Sequence, residues 1–225
     1  MISCKDFWNM RSQNYDTQIG PFYEEAYART AANTLKYLKP QDRVLDFACG
    51  TGIVTFQMAP HVAQIRAIDI SDEMVRHAKE KAETLKVPNV EISQTDLFDP
   101  CLEPGSFDVV TAFNVLCYVD NPREVLARIR ELLKPGGLFL SATDCLGQTV
   151  TKVGIKKFIK SRTGSMPYVA FYRMKGLERA VAQAGFTVLD RENLFPAPPN
   201  LFVAAKKEKP PRLPPAASRR EAFRF

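Results

Sequence analysis

The sequence predicts an α/β fold with a mostly parallel sheet, on the basis of two observations. Apolar runs of strand length alternate with helix-like segments along most of the chain. In residues 44–52, VLDFACGTG, an apolar run leads directly into two glycines, and a helix-like pattern follows over residues 53–58. A strand, a glycine turn and a helix in this order let a nucleotide-like ligand approach the backbone closely.

The glycine turn also narrows the choice of ligand. A dinucleotide-binding turn has a third glycine at the position where this chain has Thr55. A phosphate-binding loop of the Walker type has a lysine after its last glycine, and this chain has no lysine after Gly52. Asp46, at the carboxyl end of the strand, suits a ligand with positive charge. S-adenosylmethionine (SAM) carries an ammonium and a sulfonium and no phosphate, so the sequence favours it.

The next segments continue the alternation. Residues 64–70 predict a second strand that ends at Asp69, about 20 residues past the loop, where a carboxylate can accept both ribose hydroxyls. Ser71 predicts the N-cap of the helix that follows. Residues 90–95 and 107–114 predict the third and fourth strands.

The remaining elements are predicted from turn and cap residues. Pro122 indicates a helix over residues 123–133, and Gly136-Gly137 opens a fifth strand. Gly185 ends a helix over residues 174–184. Further helices are predicted over residues 5–10 and 21–38, and further strands over residues 186–189 and 201–205.

These segments together resemble the class I SAM-dependent methyltransferases, and are closest in pattern to the ubiquinone/menaquinone and related small-molecule methyltransferases. Residues 46–52 are similar to the family motif (D/E)xGxGxG, with Ala48 in place of the first glycine, so residue 48 must adopt a conformation allowed to an L-residue. The segments DISDEM and KPGG resemble further family motifs. The resemblance covers about residues 7–205. It implies a three-layer Rossmann-like sandwich whose seven-stranded, mostly parallel sheet has an antiparallel edge hairpin.

The resemblance also implies roles for single residues. Asp96 would accept the adenine amino group, Met74 or its neighbour would pack on adenine, and Asn114 would lie near the methionine end of the cofactor. Tyr15, in FWNMRSQNYD, would close over the cofactor. Tyr118 is the candidate catalytic residue, although a packing role for its side chain explains the sequence equally well. For Met74, a role in the core is likewise as good an explanation as a contact with adenine. The predicted cofactor-binding residues are Tyr15, Asp46, Ala48, Cys49, Gly50, Gly52, Asp69, Ile70, Met74, Asp96, Leu97 and Asn114; no metal site is predicted.

Positive charge is concentrated in two segments of the chain. The net charge is +6, of which the tail, residues 206–225, carries +5. Proline pairs and charge predict that this tail is disordered. The other segment is an insert at about residues 148–173, where the family places its acceptor cap. Val153, Ile155, Phe158 and Ile159 can share one helix face there, with Lys156, Lys157 and Lys160 on the other. A solvated lid, a site for an anionic acceptor and a contact with an anionic membrane all fit this pattern.

Composition predicts one soluble domain over residues 1–205, with a helical flap at its N-terminus. The N-terminus lacks the apolar stretch of a signal peptide, and no apolar run approaches the roughly 20 residues that cross a bilayer. The five cysteines are odd in number and form no CxxC pair, which favours reduced thiols and a cytoplasmic location.

The expected function is methyl transfer from SAM to the oxygen, nitrogen or carbon of a small molecule, lipophilic or anionic in character. The basic segments keep a nucleic-acid methyltransferase as an alternative. Against it, NVLCYV follows the fourth strand in place of the DPPY or NPPY type of base-flipping motif. A SAM-binding protein without catalysis is a further alternative, and the sequence predicts no oligomeric state.

Overall fold

The computed structural model describes residues 2–208, apart from the side chains of residues 19–22. The helices are α1 (Cys4–Ser12), α2 (Tyr15–Leu35), α3 (Thr55–Met58), α4 (Asp72–Leu85), α5 (Pro122–Leu132), α6 (Lys152–Arg162) and α7 (Met174–Gln183). The strands are β1 (Arg43–Phe47), β2 (Gln64–Asp69), β3 (Val90–Gln94), β4 (Phe107–Phe113), β5 (Leu133–Asp144), β6 (Phe186–Pro196) and β7 (Pro199–Lys207). Short 3-10 turns follow α3 and β4, at Ala59–His61 and Leu116–Tyr118.

The strands form one seven-stranded sheet in the order β3-β2-β1-β4-β5-β7-β6. Strands β1 to β5 are parallel, whereas β7 runs antiparallel to both β5 and β6. The predicted fold class is therefore confirmed, including the edge hairpin. Because parallel strands end at the same edge of a sheet, the loops after β1, β2, β4 and β5 lie together there.

The two faces of the sheet carry separate apolar cores. Adjacent residues alternate between them: Leu45 and Val110 pack with helices α5 and α7, and Val44 and Val109 pack with α2, α3 and α4. This alternation follows from the period of two along a strand. Helices on both faces explain why the central strands carry apolar residues on both faces.

Several predicted boundaries differ from the structure. Helix α2 begins at Tyr15, six residues before the predicted start at Pro21. Helix α3 is a single turn, and a 3-10 turn containing Pro60 follows it. Strand β6 extends to Pro196, and β7 includes Lys206 and Lys207, the first two residues of the predicted tail. Residues 209–225 of that tail lie outside the described residues.

Candidate active site

In the glycine loop after β1, every second residue from 48 to 52 has a left-handed backbone conformation. Ala48 has a φ of 59°, Gly50 of 57° and Gly52 of 82°. The conformation of Ala48 is open to an L-residue but costs roughly 1–2 kcal/mol relative to the right-handed one. A Cβ on Gly52 would lie 2.4 Å from the Phe56 ring, so position 52 requires glycine on steric grounds as well.

Asp46 lies buried beneath this loop. Its carboxylate accepts hydrogen bonds from the Thr55 hydroxyl at 2.5 Å and the Thr111 hydroxyl at 2.7 Å. Burial raises the pKa of Asp46 to about 6, although the two hydroxyl donors oppose the shift. A positive charge placed in the loop would compensate the buried carboxylate.

Asp69 connects the glycine loop to the next helix. One carboxylate oxygen accepts a hydrogen bond from the Gly50 amide and the other accepts one from the Ser71 amide, both at 2.9 Å. Burial raises the pKa of Asp69, and these amide donors act in the opposite direction. Each carboxylate oxygen has a second lone pair, so Asp69 can still accept ribose hydroxyls.

The predicted adenine-binding residues differ in exposure. Asp96 is exposed, and its carboxylate accepts a hydrogen bond from the Phe98 amide at 2.7 Å. Met74 and Leu97 are almost fully buried, and Ile70 is half-buried. The side chains of Met74 and Leu97 therefore support the site from within the core, while Asp96 remains available to a ligand.

The N-terminal flap, residues 4–18, is closed over the loop. Asn9 donates to Asp72 at 2.8 Å and accepts from the Ser71 hydroxyl at 2.6 Å. Asp16 accepts from the Thr51 hydroxyl at 2.6 Å and pairs with Lys81 at 2.5 Å. Polar contacts thus hold both ends of the flap against the glycine loop and α4.

Two cavities meet at a pair of tyrosines. A cavity of about 40 Å³ lies against the glycine loop, and one of about 550 Å³ lies beneath the insert. Tyr15 and Tyr27 line both cavities, and their hydroxyl groups are 2.9 Å apart. Burial raises the pKa of both phenols, so both stay protonated at neutral pH. The smaller cavity has the volume of about one water molecule.

The larger cavity combines aromatic and basic side chains. Tyr118, the candidate catalytic residue, lines it and stacks edge-on against Trp8 at 5.1 Å between ring centroids. Asn114 lines it as well, in the left-handed conformation with a φ of 56°. Among the described residues, four basic side chains and one acidic side chain, Asp144, line the cavity; the basic ones are Arg11, Lys156, Lys157 and Lys160.

The insert helix α6 separates its apolar residues from its lysines, as the sequence pattern suggests, except at Val153. Ile155, Phe158 and Ile159 are 51%, 48% and 54% exposed, whereas Lys156, Lys157 and Lys160 line the larger cavity together with Val153. The side chain of Lys157 is only 19% exposed and pairs with Asp144. The sequence left open which face is turned inward, because a pattern of apolar residues contains no sign of a distant partner such as the Asp144 carboxylate.

Sequence reasoning missed Tyr27 and Asn200 as cavity residues. Asn200 lies at the start of β7 and gives no motif, yet its amide donates to Asn114 at 2.8 Å and to Asp144 at 2.9 Å. In the part of the chain that the structure describes, no group of three or more His, Cys, Asp or Glu side chains could hold a metal ion.

A glycine loop, acidic residues at strand ends and an adjoining cavity are typical of a cofactor-binding domain with a Rossmann-like fold. The methyltransferase domain family matches residues 45–141. A ubiquinone biosynthesis O-methyltransferase of Burkholderia pseudomallei (strain 1710b) is 30% identical over 159 residues, which are 67% of each chain. The chain belongs to the class I SAM-dependent methyltransferases.

Two further relatives differ in what they cover. A ubiquinone biosynthesis O-methyltransferase of Xanthomonas campestris pv. campestris (strain B100) is 40% identical over 107 residues, 47% of this chain and 44% of the relative. The chain thus spans less than half the length of that relative. A Haemonchus contortus phosphoethanolamine N-methyltransferase 2, solved with S-adenosyl-L-methionine, has a TM-score of 0.75 at 19% identity, over 93% of this chain and 61% of its own. At 19% identity, the similarity to the Haemonchus contortus structure shows a shared fold alone.

Proposed function

We propose that this protein transfers the methyl group of SAM to an oxygen of a small-molecule acceptor. The observation that carries the proposal is the junction of the two cavities at Tyr15 and Tyr27, with the glycine loop on one side and the insert on the other. A methyltransferase needs its two ligands in contact at one point and shielded from water. When bound, SAM supplies an activated methyl group on its sulfonium.

The residues of the loop and strand ends fit the cofactor. Asp46 lies beneath the loop, where a cation would compensate its charge, and Asp69 and Asp96 end successive strands. The backbone conformations at Ala48, Gly50 and Gly52 keep side chains away from the ligand position. The remaining predicted cofactor residues are Tyr15, Cys49, Ile70, Met74, Leu97 and Asn114. Since the cavity against the loop holds about one water, we expect Tyr15 and the flap to move when the cofactor enters.

The cavity beneath the insert supports a small acceptor. Its volume of about 550 Å³ lies within the range of roughly 300–1,000 Å³ typical of small-molecule sites. Four basic side chains favour an acceptor with negative charge and disfavour a protonated amine. The names of the O-methyltransferase relatives support oxygen as the methylated atom.

Methyl transfer from labelled SAM to a cell extract tests the function. We expect label in a low-molecular-weight product that nuclease treatment of the extract leaves unchanged. Loss of the product after nuclease treatment would favour a nucleic-acid acceptor. SAM binding in calorimetry with no labelled product across extracts would favour a binding protein without catalysis.

The exposed face of the insert supports contact with an anionic membrane. Ile155, Phe158 and Ile159 are half-exposed on α6, and Lys152 and Arg162 flank them on the same helix. Apolar and basic groups on one helix surface suit the boundary of an anionic bilayer. No helix among residues 2–208 is long and apolar enough to cross a membrane, so this contact would be peripheral. The five free cysteines support a cytoplasmic location.

Co-sedimentation with vesicles containing phosphatidylglycerol tests this contact. The double variant Ile155→Asp/Phe158→Asp should lose sedimentation and retain SAM affinity, because α6 contributes none of the predicted cofactor residues. Leu85→Asp is the matched control, since Leu85 is 56% exposed on α4. Equal sedimentation of the double variant and the wild type would contradict membrane contact and leave a solvated lid.

A further inference from the structure

A buried ion pair connects the insert to the sheet inside the larger cavity. The Lys157 ammonium lies 3.0 Å from an Asp144 oxygen, and the two side chains are 19% and 12% exposed. Both residues line the cavity. A buried ion pair adds little stability on balance, because desolvation offsets the attraction between the charges. Its position in the cavity therefore calls for a role beyond packing.

The Asp144 carboxylate fixes the position of the Lys157 ammonium. One carboxylate oxygen accepts the hydrogen bond from Lys157, and the other accepts one from the Asn200 amide at 2.9 Å. Asn200 also donates to Asn114, so β5, β7 and the loop after β4 together fix the carboxylate. Asp144 is thus a positioning residue.

Lys157 remains charged and has a donor to spare. Burial opposes its charge, but the Asp144 carboxylate beside it raises the pKa of Lys157 overall. An ammonium has three donors; among the described residues, one bonds to Asp144 and one to the Tyr118 hydroxyl, so one is left for a ligand. The ammonium lies 5.5 Å from the centroid of the Tyr118 ring. This arrangement presents a fixed cation to whatever enters the cavity.

Among the described residues that line the cavity, the only anionic side chain is Asp144, whose charge is paired with Lys157. The two histidines lie elsewhere, His61 at the end of a 3-10 turn after α3 and His77 on α4. Burial raises the pKa of the Tyr118 phenol and the Cys117 thiol, so neither is ionised at neutral pH. Loss of an acceptor's hydroxyl proton to solvent water at this place is favoured by an acidic hydroxyl and by a nearby positive charge.

We propose that Lys157 binds the reacting oxygen of the acceptor as an oxyanion, and that the acceptor is a phenol-type hydroxyl compound. The ammonium donates a hydrogen bond to this oxygen and favours its ionised form, and the hydroxyl proton passes to water. Asp144 and Asn200 hold the ammonium in place. This role rests on the proposed function, because it assigns the larger cavity to the acceptor.

4-Nitrophenol is a suitable probe, since its phenolate absorbs at longer wavelength than its phenol. We expect the wild-type protein, saturated with S-adenosylhomocysteine, to bind the probe and to lower its pKa by about one to two units, as a nearby opposite charge does. Lys157→Arg should retain part of the shift. Lys157→Met should abolish it, and Lys152→Met, on the exposed part of the same helix, should leave it unchanged.

The double variant Lys157→Met/Asp144→Asn separates this role from a structural one. It removes both charges and leaves no unpaired charge, so it should fold with a melting temperature close to that of the wild type. If the pair only anchors the insert, the double variant will recover the spectral shift of the bound probe. If Lys157 binds the oxyanion, the shift will stay absent in this folded variant.

Two results would overturn the proposal: an unshifted probe pKa in the wild type, or a wild-type shift in Lys157→Met. Calorimetry with SAM and the labelled-extract assay test the proposed function, and their outcomes do not depend on either of these two probe measurements. A protein that binds SAM and methylates a small molecule without shifting the probe would retain the proposed function and refute the role of Lys157.

Discussion

Asp46 is a buried acid whose ionisation opposes folding when no cation lies in the glycine loop. Its pKa of about 6 in the folded protein exceeds the value of about 3.9 expected in an unfolded chain. The folded state therefore binds more protons between these two values, and stability falls as pH rises through this window. Above pH 6 the full penalty remains, which amounts to at most about 3 kcal/mol.

Asp46→Asn should remove this penalty. We expect the ligand-free variant to be more stable than the wild type at pH 7.5 and no more stable at pH 4.5, where the wild-type carboxyl is protonated in the folded state. Thermal unfolding at the two pH values measures the difference. An equal change in melting temperature at both would show that Asp46 is not the titrating group.

Asp69 contributes to both the loop and the proposed cofactor site. Asp69→Ala leaves the Gly50 and Ser71 amides without their partner and removes the proposed ribose contact. Each lost hydrogen bond costs about 1–3 kcal/mol when a polar group is left unpaired, so SAM affinity should fall by roughly ten- to a hundredfold. Calorimetry measures the loss, and Glu80→Ala on the exposed side of α4 serves as the control. Unchanged affinity would remove Asp69 from the site.

At the scale of elements, the flap is held by a small number of polar contacts. Asn9 is the central one, because its amide contacts Ser71 and Asp72 at the start of α4. Exposed polar contacts of this kind contribute about 1 kcal/mol each. The flap should therefore open far more readily than the sheet.

Asn9→Ala should loosen the flap without affecting the core. Amide hydrogen exchange should accelerate about tenfold in α1, since about 1.4 kcal/mol of lost contact energy corresponds to that factor, and should stay unchanged in β4. Gln13→Ala is a control change next to the same helix. Equal exchange in α1 of Asn9→Ala and the wild type would mean that apolar packing holds the flap.

Local signals predicted most strands and helices but failed where distant partners decide the structure. Leu45 and Val110 lie in long apolar runs, so β1 and β4 were evident from the sequence. Strand β6 continues through Asp190, Arg191 and Glu192, although the sequence predicted that the strand ends at residue 189. Glu192 pairs with Arg29 of α2, a partner 163 residues away, and an edge strand tolerates such charges. The ion pair of Lys157 could not be predicted for the same reason, because its partner Asp144 lies on another element.

The same limit applies to the candidate site. The glycine loop and its acids follow one another along the chain, so their spacing revealed the cofactor class. The larger cavity is assembled from residues of α1, α2, β7 and the insert, among others, and its shape depends on their packing. Tyr27 and Asn200 carried no motif that could have indicated their place in it.

At the scale of the whole molecule, residues 209–225 should be dispensable for folding. They carry a net charge of +4 and four prolines, while β7 ends before them at Lys207, whose ammonium donates to the Leu133 carbonyl. Truncation after Glu208 should leave both the melting temperature and SAM affinity unchanged. Differential scanning calorimetry and SAM titration check this, and a drop of several degrees would show that the tail packs on the domain.

The two ends of the insert are joined across the sheet edge. The Gly147 amide donates to the Tyr172 carbonyl at 2.8 Å, and a Cβ on Gly147 would lie 2.3 Å from the Phe171 carbonyl oxygen, so residue 147 must be glycine for the ends to meet. A segment that leaves and re-enters a fold at one point can change in length at little entropic cost. The residues between these ends can therefore be replaced as one unit in evolution. Such a replacement would change the proposed acceptor site and leave the residues proposed to bind the methyl donor unchanged.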